Sequence, residues 1–254
     1  MCGRYSLISD ADALAEEFGF FNVDAFELSP RYNIAPTQTV PIVRMDESHD
    51  QPLIEPCHWG LIPSWAKDAA IGNRMINARL ETADSKPAYR AAFRRRRCLV
   101  PCSGFYEWRK VDGGKQPHLI GLVDRSLFAL AGLWERWIDP GGSEVHSFTI
   151  LTTAANAFME RLHDRMPVFV GREHYDAWLD PDLQEVSRIK RLLPELPADA
   201  MTAHPVDKRV NSPRFDDPSC IANYVSPKDG NANDADRSGF ESQGDNLWSL
   251  RGDS

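Results

Sequence analysis

Cys2 carries the most distinctive chemistry in the chain, because Met1 precedes a small side chain of the kind methionine aminopeptidases accept. With Met1 removed, an α-amine of pKa roughly 7.7–8.0 would sit beside a thiol of about 8.5, two nucleophiles on one residue. Such a 1,2-aminothiol condenses with an aldehyde to an imine, and the sulfur then closes on the imine carbon to give a five-membered thiazolidine. Alternatively the amine serves as the base for its own thiol. Two further residues suit proton transfer. Glu107 lies between Tyr106 and Trp108 in an aromatic run, and His163 precedes Asp164-Arg165 at a helix-to-strand junction. A plain terminal cysteine, a salt-bridged glutamate and a structural histidine are the ordinary alternatives.

The charge distribution points to a partner. The net charge is −8, yet between Arg74 and Lys110 ten Lys or Arg face three acids, and the run includes Arg94-Arg95-Arg96-Arg97. A basic face on an acidic protein suits a polyanion, although a solvated turn would show the same run. Trp65 follows Pro63-Ser64 in a loop and is expected to be exposed, where its ring could stack on an unpaired base; Trp59, inside a strand, is expected in the core. Asn33 stands in the irregular segment Arg31 to Gln38, where it could line a site or satisfy its own backbone.

The elements that would position these groups are short. A helix over Ser9 to Phe18 ends at Gly19, and strands are expected at Gly3–Leu7, Thr39–Arg44, Ile54 onward, Arg97–Cys102, Gly104–Arg109, Leu119–Val123, Leu127–Glu135 and Val145–Thr152. Gly113-Gly114 and Pro140-Gly141-Gly142 mark hairpin turns. Helices are expected over Pro87–Phe93, Ala154–Leu162, Glu173–Leu179 and Gln184–Leu193, and a late strand over Met201–Val206. Many short, mostly antiparallel strands with a few flanking helices predict an α+β fold, a single domain over 1–225 with a barrel-like core. From 226 to 254 the composition turns to Gly, Asn, Asp and Ser, which predicts a disordered acidic tail.

The 254 residues are 42% hydrophobic and 26% charged, ordinary for a globular protein. No apolar run reaches the roughly 20 residues of a membrane helix, and no signal peptide is legible, so a cytoplasmic protein without membrane contact is expected. Five scattered cysteines suit reduced thiols. Cys98-x-x-x-Cys102 with Cys57 and His58 has some look of a metal site, but its flanks read as a buried strand; no metal and no cofactor are expected.

Seven motifs taken together resemble the SOS response-associated peptidase (SRAP) family. They are Met-Cys-Gly-Arg-Tyr at the start, Tyr-Asn-Ile-Ala-Pro-Thr-Gln at 32–38, Trp-Gly-Leu-Ile-Pro at 59–63, Asn-Ala-Arg-x-Glu-Thr at 77–82, Gly-Phe-Tyr-Glu-Trp at 104–108, Leu-His-Asp-Arg-Met-Pro at 162–167 and Val-Asn-Ser-Pro at 210–213. The resemblance implies that Cys2 attacks the ring-opened aldehyde of an abasic site in single-stranded DNA, forming a thiazolidine crosslink that shields the lesion. It implies Asn77, Glu107 and His163 as the other site residues. On this reading Arg4, Arg79, Lys86 and some of Arg94 to Arg97 contact phosphates, while Trp65 and Asn33 hold the strand open. One thiol meeting one lesion suits a monomer. An N-terminal-nucleophile glutamine amidotransferase and a non-catalytic DNA-binding module are the rivals.

Overall fold

A computed structural model describes residues 2–20, 28–46, 48, 50–124 and 127–224; the tail expected from 226 lies outside them. The chain runs β1 (Tyr5–Leu7), α1 (Ala11–Phe18), β2 (Arg31–Ile34), β3 (Thr39–Met45), β4 (Pro52–Trp59), β5 (Asn77–Arg79), α2 (Leu80–Ala83), α3 (Arg90–Arg95) and β6 (Arg97–Cys102). It continues through β7 (Gly104–Val111), β8 (Gly114–Leu122), β9 (Phe128–Ile138), β10 (Glu144–Ala154), β11 (Arg165–Pro167), β12 (Phe169–Val170), α4 (Tyr175–Leu179), α5 (Val186–Arg191) and β13 (Met201–Pro205).

Five strands close on themselves. β4 pairs with β3, β3 with β6, β6 with β9, β9 with β10, and β10 returns to β4, so this ring has no open edge. Every contact in it is antiparallel except β10 with β4. A second, antiparallel sheet runs β13-β8-β7-β1-β2. The expected α+β architecture with a barrel core is therefore present. β6 is buried along its whole length, as its continuous apolar run Cys98-Leu99-Val100-Pro101-Cys102 requires of a strand covered on both faces. Trp59 is fully buried, 5.2 Å edge-on from Tyr5 and 6.3 Å from Phe148, which explains its place in the core.

Local signals set the boundaries that the sequence marks. The Asp10 side chain accepts the Ala13 N–H at 2.8 Å and starts α1, and Gly19, at φ 71°, ends it. The helix expected over Ala154–Leu162 is absent. β10 continues to Ala154, and only a single 3-10 turn forms at Met159–Arg161. Asn156 starts that turn late, its Oδ1 accepting from Met159 N at 3.0 Å, while its Nδ2 donates to Leu196 O at 2.9 Å and ties the turn to a distant segment. α3 also starts later than expected, at Arg90, beyond Pro87. Among the described residues no helix is long and apolar enough to cross a membrane.

The four-arginine run does not present four cations to a partner. Arg97 is buried; its guanidinium donates to the carbonyls of Trp178, Phe93, Arg94 and Asp180. Arg96 pairs with Glu135 at 2.8 Å and Arg95 donates to Gln184, which leaves Arg94 and Arg95 exposed at the end of α3. Arg97 therefore welds α4 to the barrel. Arg97→Met is expected to destabilise the fold by about 3 kcal/mol, because four carbonyls lose a buried donor, and denaturant melts would show it. An unchanged midpoint would contradict that assignment.

A second polar cluster makes stability depend on pH. His146 on β10 bridges Glu55 at 2.9 Å (Nδ1) and Glu144 at 2.8 Å (Nε2), and Arg44 grips Glu55 at 2.7 and 2.9 Å while stacking 4.5 Å over Trp134. The hydrogen bond to Glu55 raises the imidazole pKa above its ordinary value. Burial alone would raise Glu55, but hydrogen bonds from His146 and Arg44 outweigh it and hold the carboxyl below its usual range. The histidine's contribution is thus complete below its unfolded pKa of about 6.5 and fades as pH rises through the elevated folded value. The glutamate's contribution fades at the other end, as pH falls through its depressed value. In urea melts, wild type should exceed His146→Gln by about 1 kcal/mol near pH 6, and the gap should close toward pH 9. A gap that widened with pH would be inconsistent with this wiring.

Candidate active site and nucleic-acid face

β1 fixes the second residue of the chain. It lies between β2 and β7, pairing Tyr5 with Ile34 on one side and with Phe105 on the other, and Tyr106 N donates to Arg4 O at 2.9 Å. The chain's beginning is therefore an interior strand of a sheet, and Cys2, just upstream, is fully buried. Glu107 sits on the neighbouring β7, two residues beyond Phe105 and so on the same face, and is also buried.

Asn77 arrives from elsewhere. It opens β5, which runs parallel to β10 from Ile150 to Thr152, and its Nδ2 donates to Cys2 O at 2.8 Å. Its Oδ1 is buried and has no hydrogen-bond partner among the described residues. The far end of β10 carries β5 on one edge and β11 on the other, and His163 lies two residues before β11 begins. Two contacts converge on His163 Nδ1: it accepts Arg165 N–H at 2.9 Å and lies 2.7 Å from the Asp164 carboxylate. The first needs a lone pair and the second a proton. Which of the two is made depends on whether Nδ1 carries the ring proton.

The electrostatics single out the Cys2 thiol. Burial, with the Glu107 charge adding to it, raises its pKa to about 12 against the opposing pull of the positive chain terminus and the Arg4 backbone N–H. The sulfur is therefore held as a neutral thiol at physiological pH. A reaction that starts on sulfur would need the proton taken at that moment; one that starts on the amine would not.

Arg165 and Glu81 were not apparent as site residues from sequence, although both stand inside the motifs at 77–82 and 162–167. Arg165 grips Glu81 at 2.7 and 2.9 Å and Thr152 O at 2.7 Å, bracing the segment after β5 against β11. Arg79 and Lys86 are exposed near this brace in sequence. Trp65 is 60% exposed, as expected, and its loop is held on both sides: Ile62 N donates to Ser147 Oγ at 2.8 Å and Trp137 Nε1 to Ala66 O at 2.7 Å. The loop's entry needs glycine. Gly60 has φ 139°, and a Cβ there would fall 2.7 Å from Gly72 O.

Asn33 departs from the expectation that it touches a bound strand. It is completely buried, and its Nδ2 donates to Val210 O, Ser212 O and Phe215 O. Arg4 is half-buried, with one guanidinium nitrogen donating to Asn33 Oδ1 at 2.7 Å and to Val210 O at 2.6 Å. Both residues tie the chain's start and β2 to the 210–215 segment. Cys57, Cys98 and Cys102 lie buried in β4 and β6. Among the described residues no three His, Cys, Asp or Glu side chains group as metal ligands.

Residues 1–213 match the family model described as SOS response associated peptidase (SRAP). The chain belongs to the SRAP family. Abasic site processing protein YoqW of Bacillus subtilis is 41% identical over 229 residues, covering 88% of this chain and 100% of the relative. Abasic site processing protein HMCES of Xenopus tropicalis is 31% identical over 231 residues, covering 80% of this chain and 68% of the relative. Among solved structures, a Bacteroides thetaiotaomicron protein superposes with a TM-score of 0.77 at 26% identity, over 88% of this chain and 100% of the other. A phage-related protein from Bordetella bronchiseptica reaches 0.65 at 30% identity, over 82% and 95%. The matched span contains Asn77, Glu107 and His163.

Proposed function

We propose that this protein processes abasic sites in single-stranded DNA by trapping the lesion's aldehyde on Cys2, once Met1 is removed, as a thiazolidine crosslink that shields it. The observation that carries the proposal is the contact made on Cys2 from a distant strand: Asn77 Nδ2 donates to the Cys2 carbonyl at 2.8 Å, and the buried Glu107 of β7 adds its charge to the burial that raises the thiol pKa. The relatives named as abasic site processing proteins supply the substrate.

The chemistry follows from the protonation states. On this reading the free α-amine attacks first, forming a carbinolamine that loses water to an imine. The S–H proton then leaves to Glu107 as sulfur bonds to the imine carbon and the imine nitrogen takes up a proton, giving the ring. One aldehyde and one aminothiol yield one thiazolidine and one water. His163 assists opening of the sugar and, in reverse, release, as a proton donor and acceptor. Asn77 Oδ1, without a partner among the described residues, is available to a sugar hydroxyl. Arg79 and Lys86 meet phosphates and Trp65 stacks beside the unpaired lesion, so single strands and junctions are preferred over duplex. The peptidase name would then reflect removal of Met1. The protein works as a monomer in the cytoplasm.

The deciding assay mixes the full chain with a single-stranded oligonucleotide bearing one abasic site and looks for a heat-stable covalent shift. The reading expects a shift with the abasic strand and none with an intact strand. Absence of any shift, or glutamine hydrolysis in its place, would overturn it.

A further inference from the structure

Among the described residues only two Trp or Phe side chains are exposed, Trp65 at 60% and Phe215 at 46%. Trp65 belongs to the site above. Phe215 lies just past the segment that matches the family model, which ends at 213. An exposed phenyl ring forgoes the stabilisation of burial, so a loop that displays one on a well-bonded backbone invites explanation.

The loop is rigid. Phe215 N donates to Ser212 O at 3.2 Å, and Phe215 O accepts Asn33 Nδ2 at 2.6 Å. The next carboxylate, Asp216, accepts Tyr32 N at 2.5 Å and Asn33 N at 2.8 Å and pairs with Arg31. Through Asn33 and Val210 the loop is joined to Arg4, two residues from Cys2. The backbone that carries the ring is thus tied to the segment that holds the nucleophile. The Arg209 guanidinium lies 5.8 Å from the ring centre, and Arg214 is exposed beside it.

We infer that Phe215 is a stacking platform for an unpaired base of the DNA strand where it leaves the abasic site. The inference rests on the single-stranded DNA reading above. From 207 to 217 the cations Lys208, Arg209 and Arg214 are matched by Asp207, Asp216 and Asp217, so the segment carries no net charge to attract phosphates. What it offers is an aromatic plane backed by a guanidinium, a surface that suits any base through its π-face. Its contribution is therefore insensitive to salt and to sequence, unlike that of the exposed cations at Arg79 and Lys86.

The test is fluorescence anisotropy of the full chain with intact and abasic single strands at several salt concentrations, alongside single-turnover crosslinking at saturating DNA. Phe215→Ala should weaken binding roughly 5- to 100-fold, leave the slope of log affinity against log salt unchanged, and leave the saturated crosslinking rate unchanged. Phe215→Trp should restore the affinity. Arg79→Ala, as the contrast, should flatten the salt slope. Wild-type affinity in Phe215→Ala, or a loss accompanied by a flatter slope, overturns the inference. Should wild type bind single strands but form no crosslink, the aldehyde-trapping reading fails, while the anisotropy still decides the role of Phe215.

Discussion

Replacing Cys2 by alanine is expected to remove the heat-stable crosslink entirely while leaving affinity for single-stranded DNA within about twofold. The side chain is buried and small, so the substitution costs little packing, and Ala keeps the free amine once Met1 is gone. That amine can still form an imine, but nothing closes on it. Cys2→Ala should therefore give a product seen only after borohydride reduction and lost on dilution without it. Cys2→Ser sharpens the point: its hydroxyl is a far weaker nucleophile, and its five-membered ring reopens. A variant of the full chain that retains Met1 keeps the thiol but buries the nitrogen in a peptide bond, and should also fail. Equal crosslinking by the Met1-retaining form would show that the thiol acts alone, against the aminothiol account.

The second large effect is expected at Glu107. Glu107→Gln keeps the volume of a buried side chain and removes its charge and its basicity. Crosslinking should slow on the order of 10²–10⁴-fold, the usual range for a lost general acid–base group. A purely structural glutamate could also slow the reaction by disturbing β7, so a second readout is needed. Because the Glu107 charge adds to the burial that holds the Cys2 thiol at about 12, Glu107→Gln should lower that pKa, seen as a shift of thiol alkylation toward lower pH. Slower trapping together with easier alkylation is the signature of the proposed role. Alkylation that became harder would contradict it.

Much of this arrangement is legible in the sequence, for physical reasons that differ from residue to residue. Turn chemistry and a continuous apolar run fix α1 and β6, because each is decided by neighbours along the chain. The exposure of Trp65 and burial of Trp59 follow from Pro63-Ser64 and from strand position. What local sequence does not carry is closure: the return of β10 to β4 depends on register between strands nearly ninety positions apart. The failed helix at 154–162 is similar, since Asn156 reaches Leu196, a contact no window of that size contains. The arginine run misleads for the opposite reason. Charge type is visible, but that Arg97 finds four carbonyls and Arg96 a glutamate depends on α4 and β9 arriving beside them. Likewise Asn33 looks like a surface loop residue until the 210–215 segment folds over it. Cys2, Asn77, Glu107 and His163 stand out through the motifs they share, and the contact of Asn77 with Cys2 is what the three-dimensional structure adds.

The central claim is that both nucleophiles of Cys2 end on one carbon of the lesion. Proteolysis of the covalent complex followed by mass spectrometry of the N-terminal peptide tests this directly. The account predicts a peptide beginning at Cys2, without Met1, joined to the abasic residue with loss of one water and carrying a sulfur that no longer reacts with iodoacetamide. A crosslinked peptide whose Cys2 sulfur is still alkylated, or a crosslink mapped to a lysine, would contradict it.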